Sequence, residues 1–191
     1  SINLPRMFRL FWKIWLRVFG WKFVGTFPQE LKKCVIAVAP HTSNWDVVVG
    51  MATRSVMPIR GAKFLGKQEL FRGILGPFMR WIGGVPVDRS KKSNTVEQVA
   101  EACRKSERFI LAIAPEGTRK RVDSLKTGFW HMAKAAGIPI VLAGLDYKHK
   151  AVVFSEPFHP QNEAEDFKRI YAFFSGIEGR HPELGLGHLA G

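Results

Sequence analysis

The chain has 191 residues, 46% of them hydrophobic, with a formal net charge of +13 and a pI near 10.1. That length supports one domain with a sizeable core, and that composition excludes wholesale disorder. No uninterrupted apolar run approaches the roughly 18 residues a spanning helix needs, while the excess of positive charge calls for an acidic partner: nucleic acid, an anionic bilayer or a phosphorylated substrate.

The first periodic segment is RMFRLFWKIWLRVFG at residues 6–20. At roughly 100° per residue, Arg6, Arg9, Lys13 and Arg17 fall within an arc of about 80°, and apolar side chains cover the rest. So wide an apolar surface exceeds what a helix resting on its own core needs. An aromatic helix with a narrow basic stripe suits the headgroup boundary of an anionic leaflet, each basic residue adding roughly 1 kcal/mol of attraction. Docking in a groove of the same domain is the alternative. The two are compatible if one face docks and another meets lipid. Residues 1–20 are therefore expected to form an amphipathic membrane-associating helix, 21–180 an α/β domain and 181–191 a C-terminal tail.

Beyond that helix, apolar runs alternate with helical patterns. Residues 34–39 (CVIAVA) predict a buried strand, followed by a helix over 45–55. A short strand is expected at 62–65, a helix at 75–82 and a brief strand at 85–87. Residues 94–106 predict an amphipathic helix with Val96, Val99, Ala100 and Cys103 on one face. A buried strand at 109–114 (FILAIA), a helix at 128–136 and a strand at 138–145 (IPIVLAGL) come next. A short edge strand at 152–154 and a helix at 167–177 complete the series. Strands separated by helices of about ten residues predict a single α/β domain, a mostly parallel twisted sheet with helices on both faces. In such sheets ligand groups gather beyond the carboxyl ends of the strands. Cys34 and Cys103 lie in or beside apolar segments without metal-ligand spacing, and are expected as reduced core residues of a cytosolic protein.

Two short runs follow apolar strands and carry chemistry: HTSNWD after CVIAVA, and PEGTR after FILAIA. His41 and Asp46 are five residues apart, an offset of about 140° on a continuous helix, so there they would not meet. They meet if His41 stays in the loop and the helix begins between them, with Ser43 as N-cap and Asp46 in the first turn. Asp46 then has two readings. It caps a backbone amide, or it fixes the His41 tautomer and leaves the other ring nitrogen to remove a hydroxyl proton. No serine nucleophile is needed if the substrate supplies the attacking hydroxyl, and no G-x-S-x-G run suggests one.

In the second run Gly117 permits a tight turn with exposed amides, Thr118 offers a hydroxyl, and Arg119 can grip two phosphate oxygens at once. Glu116 is expected to position the bases around it or an acceptor's hydroxyls. An ordinary turn with a surface salt bridge is the plainer alternative. Lys67 and Arg89 also fall at or just beyond strand ends, and their clustering with Arg119 suggests an anion site rather than isolated surface charges.

These residues resemble the glycerolipid acyltransferase family, whose bacterial members include 1-acyl-glycerol-3-phosphate O-acyltransferases. His41-x-x-x-x-Asp46 resembles the catalytic block, and residues 84–89 the glycine-to-arginine acceptor block. Glu116, Gly117, Thr118 and Arg119 resemble the acceptor-binding block, and residues 137–141 (GIPIV) the apolar fourth block. The resemblance runs from Val35 to Leu145 and looks like a compact bacterial branch. Ala114 stands where the family often has an aromatic, and Leu142 where a second proline is usual.

The resemblance implies acyl transfer from acyl-CoA or acyl carrier protein to a lysophospholipid hydroxyl, most simply that of 1-acyl-glycerol-3-phosphate. His41 would be the base, Asp46 its orienting partner, and Lys67, Arg89 and Arg119 the phosphate ligands. No cofactor or metal is implied. The expected partners are an anionic membrane surface and the two substrates, and the expected location is the cytoplasmic face of the inner membrane. Another lipid acceptor, such as glycerol-3-phosphate or a lyso-aminolipid, and a non-catalytic lipid-binding protein of the same fold are the alternatives. A nucleic-acid partner is not expected: no helix-turn-helix, zinc or RNP pattern accompanies the charge, and the N-terminal aromatics form an apolar face instead of stacking platforms.

Overall fold

The computed structural model describes residues 6–190 apart from residues 29, 58, 60, 82 and 88–91. Its centre is a seven-stranded sheet of order β1-β7-β6-β2-β5-β3-β4. The strands are β1 (Lys22–Val24), β2 (Lys33–Ala39), β3 (Lys63–Lys67), β4 (Gly84–Val87), β5 (Phe109–Ile113), β6 (Ile140–Asp146) and β7 (Ala151–Phe154). Every neighbouring pair is parallel except β6 with β7.

The helices are α1 (Arg6–Val18), α2 (Trp45–Val56), α3 (Leu75–Trp81), α4 (Lys92–Arg104), α5 (Gly128–Ala136) and α6 (Glu163–Ser175). The central strands are buried on both faces, as their continuous apolar runs require. On β2, Val35, Ala37 and Ala39 face a core closed by α4, α5 and α6. Cys34 and Ile36 face a second core that holds Val49 of α2 and Trp15 of α1. Each fully buried Leu- or Phe-sized side chain in these layers contributes roughly 1.5–3 kcal/mol by leaving water. Cys34 and Cys103 are free and buried; burial pushes the Cys34 thiol up to about 12.

Three expectations need correction. The strand at 151–154 is not at the edge, because β1 pairs with its outer side, Phe23 opposite Val152. The β1 sequence, KFV, has only three residues, too few for a period of two to register in the sequence. The last helix begins at Glu163, with Asn162 as its cap accepting the Glu165 amide, a signal in the sequence that outweighs the apolar start at Phe167. The strand after α5 starts at Ile140 instead of Ile138: Gly137 is left-handed (φ 64°) and closes α5, and Pro139 follows.

α1 docks on the domain with one side and leaves an apolar side open. It packs along α2, with Leu16 buried and Trp15 set in the second core. Its other side keeps Met7 (82% exposed), Leu10, Phe11, Ile14 and Val18 open. Residues 181–190 are not loose, since Leu186 enters the main core and the final short 3-10 turn packs on α6. Among the described residues, no helix is long and apolar enough to cross a membrane.

Candidate active site

β2 delivers its chain to the N-terminus of α2 through residues 40–44. Asn44 stands at the helix boundary and makes no side-chain capping bond; Ser43 supplies the cap, its Oγ accepting the Trp45 amide at 3.2 Å. A second tie comes from within the helix. Asp46 Oδ2 accepts the amides of Thr42 and Ser43, both at 2.8 Å, satisfying donors that a helix start otherwise leaves orphaned. The same oxygen lies 3.1 Å from His41 Nδ1. Cap and dyad therefore describe a single carboxylate. Tyr147, just past β6, donates its hydroxyl to the other oxygen, Asp46 Oδ1, at 2.7 Å. Burial alone would raise the Asp46 carboxyl, but hydrogen bonds from His41, the Ser43 amide and Tyr147 outweigh it and hold the group below the usual carboxylate value.

β5 lies beside β2 in the sheet, which brings the turn after Ala114 against His41. Glu116 is buried against the loop that carries His41. It is 2% exposed and its Oε2 accepts the His41 amide at 2.7 Å, fixing the loop that carries the imidazole. Gly117 is left-handed (φ 65°), so the turn uses glycine for its conformation. Thr118 Oγ1 accepts the Lys120 amide at 3.3 Å. Arg119, exposed at the rim, donates from Nε to His41 Nε2 at 3.4 Å. A ring that faces a carboxylate at Nδ1 and receives an arginine at Nε2 carries its proton on Nδ1, leaving the Nε2 lone pair toward the open side.

Lys67 ends β3, the next strand outward from β5, so its backbone stands at the same carboxyl edge; its side chain lies outside what the structure describes. Arg89 follows β4 and is among the residues not described. The structure thus joins His41, Asp46, Glu116 and Arg119 directly and puts Gly117 and Thr118 in the intervening turn. Sequence reasoning did not assign Tyr147, although it stands in the AGLDYK run directly after the fourth apolar block. Nor did it assign the segment after α6, where the His181 amide donates to Thr42 Oγ1 at 3.2 Å and the Arg180 guanidinium lies 5.2 Å above the Trp45 ring.

Burial pushes the Glu116 carboxyl from 4.5 up to about 7, against the lowering effect of the His41 amide. A carboxyl whose folded value is raised favours the folded state most when protonated. Its contribution is intact below pH 4.5 and is lost as pH rises through about 7. Glu116→Gln keeps an acceptor for His41 but cannot ionise. Chemical denaturation is expected to show the wild-type protein losing on the order of 2–3 kcal/mol between those pH values relative to the variant; parallel stability curves would remove the buried ionisation.

A histidine with its lone pair toward the open side, a buried carboxylate behind it and a guanidinium donating to that lone pair form a site able to deprotonate a hydroxyl borne by an anionic molecule once the guanidinium turns to the anion. The chain belongs to the acyltransferase family, whose model matches residues 22–144, a span that contains the His41, Asp46 and Glu116 to Arg119 elements. It is 34% identical to the 1-acyl-sn-glycerol-3-phosphate acyltransferase of Haemophilus influenzae, over 65% of this chain and 53% of that one. It is 33% identical to the protein of the same description from Escherichia coli, over 56% of this chain and 44% of that one. The chain therefore spans about half the length of the curated relatives it matches. Its fold is like the crystal structure of the 1-acyl-sn-glycerophosphate acyltransferase PlsC from Thermotoga maritima, with a TM-score of 0.59 at 18% identity, covering 96% of this chain and 78% of that one.

Proposed function

We propose that this protein transfers a fatty acyl group from an acyl-CoA or acyl carrier protein thioester to the free hydroxyl of a lysophospholipid, 1-acyl-glycerol-3-phosphate being the simplest acceptor. The observation that carries this reading is the His41 ring held at Nδ1 by Asp46 (3.1 Å) with Arg119 at Nε2 (3.4 Å), in a chain of the acyltransferase family. Arg119 turns to the acceptor's phosphate, assisted by Lys67 and Arg89, and that movement frees Nε2. His41 Nε2 takes the acceptor's hydroxyl proton while Asp46 stabilises the imidazolium. The acceptor oxygen attacks the thioester carbonyl, and the tetrahedral oxyanion collapses, breaking the carbon–sulfur bond. The leaving thiolate takes the proton from the imidazolium, so ester and thiol leave with the base restored. This chemistry requires no metal or cofactor.

The acceptor's location is supported by the open side of α1. Leu10, Phe11, Ile14 and Val18 are exposed on a helix with a basic stripe, in a chain of net charge +13. This surface rests on an anionic bilayer, at its cytoplasmic face, where both thioester donors occur. Leu10→Glu with Ile14→Glu leaves the docked side intact and should lower sedimentation with phosphatidylglycerol-containing vesicles at least about tenfold, since each apolar side chain withdrawn from lipid forfeits roughly 1.5–3 kcal/mol. Undiminished binding with an unchanged melting temperature would place the contact elsewhere.

The activity itself is tested by thiol release from acyl-CoA or acyl carrier protein. Release should depend on added lysophosphatidic acid, and the diacyl product should appear by mass spectrometry. Release from neither donor, with the folded protein and acceptor present in vesicles, would refute the assignment.

A further inference from the structure

Tyr147 has no part in the chemistry described above, yet it makes the only side-chain contact among the described residues to Asp46 Oδ1. The two oxygens of that carboxylate are loaded unequally. Oδ2 serves the Thr42 amide, the Ser43 amide and His41 Nδ1, while Oδ1 accepts the phenol. A carboxylate free to turn about its last torsion exchanges its oxygens and swings off the imidazole. A 2.7 Å O–H···O⁻ bond opposes that turn.

The tyrosine is itself fixed from three directions. Its amide donates to the Glu178 carbonyl at 2.8 Å. Its ring meets the edge of Trp21 at 5.0 Å, with the planes at 87°. Its backbone continues β6, which lies beside β2 in the sheet. Burial and the Asp46 contact both push the Tyr147 hydroxyl upward, so it remains a donor across the pH range in which acyl transfer is measured.

Resting on the His41 and Asp46 reading, we infer that Tyr147 is a positioning residue for acyl transfer, its hydroxyl locking Asp46 in the rotamer that orients His41 and setting how much negative charge the carboxylate shows the ring. Trp21, whose amide caps α1 at the Leu16 carbonyl (2.8 Å), is the wall behind it. The dyad is thereby braced from the end of the helix that carries the exposed apolar surface.

The test is Tyr147→Phe, which keeps the ring and its Trp21 contact and removes only the hydroxyl. kcat should fall about tenfold, the loss of one hydrogen bond to a charged group, with the KM for lysophosphatidic acid within about twofold and the melting temperature little changed. The acid limb of kcat/KM should move upward, because a carboxylate relieved of its phenol donor presents more charge to the imidazole. Asp46, Glu116 and Arg119 are the other charged groups around that ring, with Arg180 above Trp45, and all are unaltered in the variant. In an Asp46→Asn background the same substitution should have no further effect on kcat, since residues acting as one unit are not additive. Wild-type kcat and pH profile in Tyr147→Phe, or full additivity with Asp46→Asn, would overturn the inference while an inactive His41→Ala left the base assignment standing. A His41→Ala enzyme at near-normal turnover would overturn both.

Discussion

Replacing His41 by alanine is expected to reduce kcat by at least about 10²–10⁴-fold, the usual contribution of a positioned general base, with almost no loss of stability. The imidazole is a polar ring in a partly open position, 23% exposed, so its removal forfeits less than truncating an apolar core side chain. Asp46 keeps the Thr42 and Ser43 amides on Oδ2 and the Tyr147 hydroxyl on Oδ1, so no buried charge is stranded. The backbone amide at position 41 still reaches Glu116. Thermal unfolding within a degree or two of wild type, combined with lost lysophosphatidic-acid-dependent thiol release, is the expected pair of results. A folded variant with near-normal turnover would remove the imidazole from the mechanism.

Arg119→Ala is expected to act on binding. A guanidinium gripping a phosphate makes charge-assisted bonds of roughly 1.5–3 kcal/mol, so the KM for a phosphorylated acceptor should rise about ten- to a hundredfold. Arg119 also donates to His41 Nε2 in the free site, and removing it leaves that lone pair permanently open, so kcat should change much less than KM. Lysine should rescue only partly, because an ammonium lacks the planar fork. An uncharged acceptor such as monoacylglycerol should show little difference between wild type and variant. Unchanged kinetics with lysophosphatidic acid would mean that another residue holds the phosphate.

The site was legible to different depths at different residues. The pairing of His41 with Asp46 followed from a histidine after a buried strand and an acid in the first turn of the next helix, because a helix start draws a carboxylate toward its free amides. The capping side chain was legible as well: Ser43 is a good cap residue, and its Oγ accepts the Trp45 amide, while Asn44 at the helix boundary makes no side-chain capping bond. For Glu116 the sequence leaves two roles open, positioning the bases around it or an acceptor's hydroxyls. The direction of its side chain depends on β5 lying beside β2, a pairing between segments far apart in the chain, and that pairing turns it inward to His41.

Local patterns fixed what is local. The apolar runs that become β2, β5 and β6, the amphipathic periods of α2, α4 and α5, and the basic stripe of α1 need only their own residues, because strand and helix periods are properties of short segments. Strand order is not local. It took the tertiary structure to place β1 outside β7, to dock one side of α1 on α2, and to carry Tyr147 to within 2.7 Å of Asp46 from 101 residues away. A hydrogen bond across that separation leaves no periodicity in the sequence; it exists because β6 and β2 share a sheet and end at the same edge.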